Sequence, residues 1–513
     1  MVSTLRSTLI DEPIELKFGT SGRRGTVASL SQLEIYINVT GELEYLQSLP
    51  ASSGGIVRGD EFYLAHDLRP TSTALVEGRG GICQAVAEAV RDAGMRPVHF
   101  GAIPTPALAR YAWSRGKGSI MVTGSHIPFD WNGYKLNTSA GELLKQHEQA
   151  IGARVAAVRE RLYAQAAAES KFDSRGMLKP GHAELPPPVA DAAAQYISRY
   201  TEFFPAAGLR GMRVLVYQHS AVGRDLLCRI LESLGAEVIP AGRSETFIPI
   251  DTEAIDDATL AAIAQAAAPH APLDAVVSTD GDSDRPLILA FDSSGTLRFF
   301  PGDIVGMITA RYLAADAVVV PVTCNDAIDR SALAPVLEPK TRIGSPYVIA
   351  GMEAARSRGR RAVCGWEANG GFLLGSDVAR CGRRLAALPT RDAVLPILAV
   401  LHAARERGLT LPELFAELPA RYTSSTLIRN FPRAAGLRLV SEYPPEGFEP
   451  LFGRIASTDR TDGLRIAFES GDVLHLRPSG NADEFRIYAC ADSCERAAEI
   501  ARRGAEAVAQ VRR

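Results

Sequence analysis

The sequence predicts an α/β protein made of three α/β units and a smaller C-terminal α+β unit. Three observations predict it. Short β-branched runs alternate with alanine-rich helical stretches for most of the 513 residues, the signature of strand–helix layering. The stretch KPGHAELPPP, 179–188, cannot continue a helix or a sheet ladder and marks a linker, with a softer break at DSSGTLRFFPGD, 292–303. Towards the C-terminus the pattern changes, and LRIAFESGDVLHLRPSG and FRIYACAD alternate as antiparallel strands do before the helix CERAAEIARRGAEAVAQV. The expected divisions are 1–185, 186–297, 298–420 and 421–513.

In chain order, FYLAHD (62–67) reads as a strand, GICQAVAEAVRDAG (81–94) as a helix ended by glycine, and PVHFGAI (97–103) as the next strand. A second unit follows in MRVLVYQHS (212–220), DLLCRILESLGAEVI (225–239) and LDAVVSTD (273–280). A third appears in AVVVPV (317–322), YVIAGMEAARSRG (347–359) and RAVCGWE (361–367). No short-period repeat or low-complexity tract is visible.

A formal net charge of −3 gives no basic excess, so no nucleic-acid partner is expected. The most apolar window, AVLPILAVLHAA near 393–404, is too short to span a bilayer. The start, MVSTLRSTLIDEPIEL, carries acids and lacks a signal peptide's sustained apolar segment. Seven scattered cysteines, an odd number with no zinc-like spacing, suit a reduced, cytoplasmic protein with no membrane partner.

Five loops carry chemistry. FGTSGRRG, 18–25, offers free backbone N–H groups and the charges of Arg23 and Arg24, which suit an anion. VTGSHIPFDWNGYK, 122–135, follows a strand and holds Ser125 beside His126; taken alone, the serine reads as an ordinary loop or N-cap residue. Asn132-Gly133 is expected to form a tight turn that brings Lys135 back toward it. STDGDSDRP, 278–286, alternates Asp280, Asp282 and Asp284 so that three carboxylates can meet on one hard cation. An EF-hand is excluded, because Arg285 stands at the sixth position and Phe291 at the twelfth. GWEANGG, 365–371, presents Glu367 and Asn369 as partners for vicinal hydroxyls, though alone it is little better than a turn. RPSGNADEFR, 477–486, surrounds a glycine with Arg477, Ser479, Asn481 and Arg486, a set able to grip a phosphate. Together the loops describe phosphoryl transfer on a phosphosugar.

The order FGTSGRRG, TGSHIP…NGYK, DGDSDR, WEANGG, RPSGN…R resembles the α-D-phosphohexomutase family, with smaller echoes in HDLRPTS (66–72), IPTPAL (103–108) and RIGSPYVIAGM (342–352). The resemblance implies three related α/β domains with mixed sheets and a C-terminal α+β domain around a central cleft. The four units would carry the phosphoserine, metal, sugar and phosphate loops in turn. Ser125 would be the phosphoserine, sharing Mg²⁺ with Asp280, Asp282 and Asp284. Arg24, His126, Lys135 and Arg285 match catalytic positions. Glu367, Asn369 and Gly370 match the sugar loop, and Arg477, Ser479, Gly480, Asn481 and Arg486 the phosphate clamp. The implied reaction is a two-step transfer through a hexose 1,6-bisphosphate, which would also serve as activator, in a monomer or homodimer. Mannose 6-phosphate and mannose 1-phosphate are the first expectation; glucose phosphates, or both sugars, are the alternative, and a non-catalytic phosphosugar-binding protein is the remote one. The chain departs from the family pattern at Gly124, Ile127, Ser283 and Asn481, and most in the sugar loop, where Ala368-Asn369-Gly370-Gly371 replaces a Met-Ser-Gly-His type.

Overall fold

The computed structural model describes residues 3–19, 22–479 and 483–511. The first sheet comprises β1 (Arg23–Thr26), β2 (Glu61–His66), β3 (Arg96–Ala102), β4 (Ser119–Val122) and β5 (Trp131–Asn137), in spatial order β1-β5-β4-β2-β3. Strand β2 lies parallel to β3 and β4, whereas β5 returns antiparallel to β4 and β1. Helices α1 (Gln32–Ser48), α2 (Ile82–Asp92), α3 (Thr105–Trp113) and α4 (Glu148–Ala164) complete this unit.

The second unit repeats the plan. After α5 (Asp191–Phe203) come β6 (Arg213–His219), α6 (Arg224–Ser233), β7 (Glu237–Arg243), α7 (Asp257–Ala267), β8 (Ala275–Thr279), β9 (Pro286–Phe291) and β10 (Leu297–Phe300). Their order is β10-β9-β8-β6-β7, parallel among β8, β6 and β7 and antiparallel from β8 outward. The third has α8 (Gly302–Tyr312), β11 (Ala317–Val319), α9 (Ser345–Ser357), β12 (Val363–Trp366), β13 (Phe372–Leu374), β14 (Leu388–Asp392) and α10 (Val394–Arg407). There β11 and β12 are parallel, and β13 and β14 antiparallel.

In all three sheets a chemistry-bearing loop leaves the carboxyl end of a parallel strand and returns as that strand's antiparallel neighbour. These are the β4–β5, β8–β9 and β12–β13 connections. Ligand sites of α/β sheets form at such strand ends.

The fourth unit is an antiparallel sheet of β15 (Tyr422–Arg429), β16 (Ile455–Asp459), β17 (Leu464–Phe468), β18 (Val473–Pro478) and β19 (Glu484–Ala491), ordered β15-β19-β18-β17-β16. Helices α11 (Arg433–Glu442) and α12 (Cys494–Val511) accompany it. The sequence pattern marks β17, β18 and β19; β15, with its polar TSST run, and β16 are strands that it does not mark.

Asn132-Gly133 corrects an expectation: it lies inside β5, not in a turn. Gly133 sits opposite Arg24 of β1, and a Cβ there would stand 1.9 Å from the Arg23 carbonyl oxygen. The glycine serves close strand approach. The Asn132 amide donates to the Thr71 and Ser72 hydroxyls.

One continuous apolar core joins the first three units, from Tyr63 and Met121 through Val277 and Ile288 to Trp366 and α10, which is buried from Val394 to Ala404. The fourth unit has its own core around Phe431, Leu464, Leu474, Phe485 and Ile487. Polar contacts join it to the third: Arg421 donates to both Asp326 oxygens (2.6 and 2.8 Å) and to the Gly471 carbonyl (2.7 Å), while Ile343 N–H donates to Asp462 (3.0 Å). Removing one partner of a buried ion pair strands the other charge. Arg421→Met is therefore expected to cost about 3 kcal/mol, read as a lower first thermal transition and earlier proteolysis near 421–430. An unchanged melt would show that this pair does not hold the joint.

Candidate active site

Ser125 follows β4 and is fully buried, with a left-handed φ of 55°. Such a backbone is costly for a residue with a Cβ and persists only where its surroundings impose it. Here Ser125 N–H donates to Thr123 Oγ1 (2.7 Å), and the Thr123 hydroxyl to Asp67 (2.8 Å). Arg69 donates to the carbonyls of Ser125 (3.0 Å), Ile127 (2.6 Å) and Pro128 (2.9 Å), and its guanidinium lies 3.8 Å from the Phe247 ring centroid. Gly124 makes room, since a Cβ there would come within 2.6 Å of Arg69 Nε.

The Ser125 hydroxyl donates to Asp280 Oδ2 at 2.9 Å. His126 Nδ1 lies 3.4 Å from that hydroxyl and accepts from Arg285 at 2.9 Å. Accepting from a guanidinium requires a bare nitrogen, so His126 is neutral here. Arg285 is the main cause, followed by burial and Arg24, and together they push the imidazole far below its ordinary range.

Asp280, Asp282 and Asp284 are all buried, with one oxygen of each within 4.8 Å of the others. Lys135, opposite Met121 in register, donates to Asp282 Oδ2 and Asp284 Oδ2, each at 2.6 Å. Its ammonium reaches the aspartates rather than the serine, a departure from the expected placement. Thr105, at the start of α3, donates to Asp282 Oδ2 through its hydroxyl. Burial alone would raise Asp282, but Lys135 and Thr105 hold it below the carboxylate range; burial and its two like-charged neighbours push Asp280 well above it. Ser283, at φ 58°, exchanges a hydrogen bond with Thr279 (2.8 Å) and accepts from Gly223 N–H (2.9 Å).

Asp282 Oδ1 and Asp284 Oδ1 are buried without a hydrogen-bond partner, although Arg285 Nε lies 3.7 Å from the latter. Orphaned carboxylate oxygens in an all-oxygen cluster fit a small hard cation such as Mg²⁺. This is a fit of donors, found once among the described residues.

Two adjacent arginines part company. Arg23 is buried against Glu42 (2.6 Å) and the Leu16 carbonyl (2.6 Å), away from the site. Arg24 faces the site: burial first, then the nearby charges of Arg285 and Arg391, lower it to about 10.

In the β12–β13 loop, Glu367 Oε2 accepts from Arg391 (3.0 Å). Asn369 Oδ1 accepts from Gly371 N–H (3.0 Å) and its carbonyl from the Thr252 hydroxyl (2.9 Å), so Asn369 also shapes the loop. Gly370, at φ 85°, packs 2.9 Å (from a built Cβ) against Gly302 Cα at the start of α8.

In the fourth sheet Arg477 and Arg486 are direct cross-strand partners. Like charges in that position repel; here Asp462 accepts from Arg477 (3.0 Å) and Glu484 lies 3.7 Å from Arg486. Ser479 N–H donates to the Glu484 carbonyl (2.8 Å). Gly480 and Asn481 lie outside the described residues. A cavity of about 390 Å³ lies between this sheet and the second and third units, lined by Glu253, Asp303, Ala368, Arg465, His475 and Tyr488 among others.

The structure thus gathers Arg24, Ser125, His126, Lys135, Asp280, Asp282, Asp284, Arg285 and Glu367 at one place, while Arg477 and Arg486 lie on the fourth sheet, Arg486 near Glu253. Sequence reading missed Arg69, Thr105, Glu253 and Arg391. HDLRPTS and IPTPAL contain the first two; nothing local distinguishes the others.

Family models described as phosphoglucomutase/phosphomannomutase alpha/beta/alpha domains I, II and III match residues 15–162, 194–292 and 301–422. A phosphomannomutase of Sinorhizobium fredii is 42% identical over 494 residues, covering 95% of this chain and 98% of that one. A phosphomannomutase of Salmonella muenchen is 40% identical, covering 94% of each. A phosphoglucosamine mutase of Thiobacillus denitrificans is 27% identical over 92% of this chain and 98% of its own. Among solved structures, a phosphoglucomutase/phosphomannomutase family protein of Burkholderia thailandensis shares the fold with TM-score 0.67 and 19% identity, covering 95% of this chain and 97% of that one. An Aspergillus fumigatus N-acetylphosphoglucosamine mutase in complex with glucose 1,6-bisphosphate aligns with TM-score 0.56 and 16% identity, covering 98% of each.

Glu253 has an open surface in the cleft, yet the surrounding protein desolvates it and, with Asp251 and Glu367, raises it to about 7 against the pull of Arg285 and Arg486. It is neutral below that pH and anionic above. Sulfate, whose charge is constant near neutrality, is expected to bind more weakly as pH rises from about 6 to about 8, and Glu253→Gln should flatten the dependence. Equal slopes in both proteins would remove Glu253 as the cause.

Proposed function

The chain belongs to the phosphoglucomutase/phosphomannomutase family, and from that premise we propose that it interconverts mannose 6-phosphate and mannose 1-phosphate through a phosphoserine at Ser125. The carrying observation is the buried Ser125 hydroxyl on Asp280, with three aspartates and the cations Arg24, Lys135, Arg285 and Arg391 around it. Two relatives named phosphomannomutase, at 42% and 40% identity across nearly the whole chain, support the sugar.

The site's charges support a phosphoryl group together with a cation. Arg24, Lys135, Arg285 and Arg391 face Asp280, Asp282, Asp284 and Glu367. A phosphate brings a charge of about −2, which a divalent cation offsets. Asp280, Asp282 and Asp284 would hold Mg²⁺, which when bound neutralises developing charge on the transferring phosphoryl oxygens. In the forward step a sugar hydroxyl attacks phosphorus, its O–P bond forms as the Ser125 Oγ–P bond breaks, and the hydroxyl proton ends on the serine side. Ser125 then regains the hydroxyl seen donating to Asp280. Arg24 and Arg285 are placed to orient the phosphoryl oxygens, and Arg477 and Arg486 to hold the sugar's other phosphate. The bisphosphate must turn over between steps, and traces of free hexose 1,6-bisphosphate would rephosphorylate Ser125.

All of these groups come from one chain, which fits a monomer or a homodimer with one site in each copy. The cysteines are all unpaired thiols, which supports a reducing, cytoplasmic setting, and no helix among the described residues is long and apolar enough to cross a membrane.

With Mg²⁺ and hexose 1,6-bisphosphate supplied, kcat/KM for mannose 1-phosphate is expected to exceed that for glucose 1-phosphate; equal or reversed values would assign a dual or glucose enzyme. Ser125→Ala should lose a phosphoryl-sized mass increment and at least about 10⁴-fold in activity. A wild-type chain that never carries phosphate would overturn the mechanism. Chelation of divalent ions should abolish turnover and its return should restore it.

A further inference from the structure

Arg391, on β14, belongs to no loop that the sequence marks, yet it is 4% exposed at the centre of the site. Its Nε and Nη2 donate to Asp284 Oδ2 at 3.1 and 3.0 Å, and its Nη1 donates to Glu367 Oε2 at 3.0 Å. One guanidinium therefore ties the carboxylate loop of the second unit to the acidic residue of the third unit's loop. Asp284 Oδ2 also receives Lys135 at 2.6 Å, but that ammonium is shared with Asp282, so Arg391 helps to neutralise Asp284 while its third donor reaches on to Glu367. Burial disfavours the charged guanidinium, but Asp284, Glu367 and Glu142 more than offset it and hold Arg391 charged.

The backbone on either side is anchored by other units. The Thr390 hydroxyl donates to Glu142 Oε1 (2.6 Å), and Glu142 Oε2 accepts from Ser345 (2.8 Å). Asp392 accepts from Tyr196 (2.7 Å) and from Tyr200, both on α5. Gly371 completes the arrangement. A Cβ built there would stand 2.5 Å from Arg391 Cδ and 2.6 Å from Cγ, so the arginine stem passes through space that any side chain at 371 would take. Groups held on both sides in this way are preorganised rather than adaptable.

We propose that Arg391 is a positioning residue that fixes Glu367 for the sugar hydroxyls, with Gly371 kept free of a side chain to admit it. This rests on the phosphosugar reading above. Without the bridge, Glu367 is free to swing and stands as an uncompensated acid in a cleft that must accept a phosphate ester.

The test measures calorimetric Kd for mannose 1-phosphate, with steady-state KM and kcat beside it. Arg391→Lys keeps the charge but not the fork that reaches two carboxylates; Gly371→Ala displaces the stem without touching either charge. Both are expected to weaken Kd by about tenfold or more, with KM affected more than kcat and the melting temperature little changed. In Glu367→Gln, adding Arg391→Lys should weaken binding by less than about twofold further, because the two act as one unit. Wild-type-like Kd in both single variants, or full additivity in the double variant, would refute the role. A wild-type protein that binds no hexose phosphate would instead sink the functional reading on which it depends.

Discussion

Three carboxylates that share one six-residue loop and almost no solvent set the terms for the rest of the molecule. Asp280, Asp282 and Asp284 repel one another, and burial deprives each of water. They are tolerable because cations meet them: Arg285 from the same loop, Lys135 from the first sheet and Arg391 from the third sheet. A local sequence motif thus draws its compensating charges from two other sheets that share its core. Their shared apolar core follows from that demand as much as from hydrophobic burial, since the carboxylates lose their partners if the layers drift apart.

The three sheets solve the placement problem identically. A parallel strand delivers its loop to one edge, and an antiparallel return strand holds the loop's far end in register. Two of the loops contain a serine in the left-handed backbone region, at Ser125 and Ser283, each pinned by side-chain hydrogen bonds. Backbone strain is thereby concentrated where the chemistry is and supported by the sheet behind it.

Much of this was legible in the sequence. Strand–helix alternation gave the layers, and the alternating aspartates marked the buried carboxylate cluster whose donors fit a cation. What could not be read was mostly long-range. Arg391 and Gly371 are twenty residues apart, and only the fold shows that one occupies the other's space. Arg23 and Arg24 are chemically equal in sequence, but strand alternation turns one onto Glu42 and the other toward the site. Asn132-Gly133 has turn chemistry, yet close strand contact at the Arg23 carbonyl explains the glycine equally well. Whether Lys135 meets a serine or an aspartate likewise depends on a neighbouring sheet.

The fourth unit stands apart because its seam with the third is built from Arg421, Asp326, Asp462 and backbone groups rather than from shared apolar residues. Apolar contacts carry a large heat-capacity change and weaken on cooling, whereas polar ones carry a smaller change of opposite sign. Opening such a seam exposes little oil-like surface. The balance between an open and a closed cleft should therefore drift only slightly over the temperatures at which a cell grows, leaving the rate of entry and exit of a charged sugar governed by ionic strength more than by warmth.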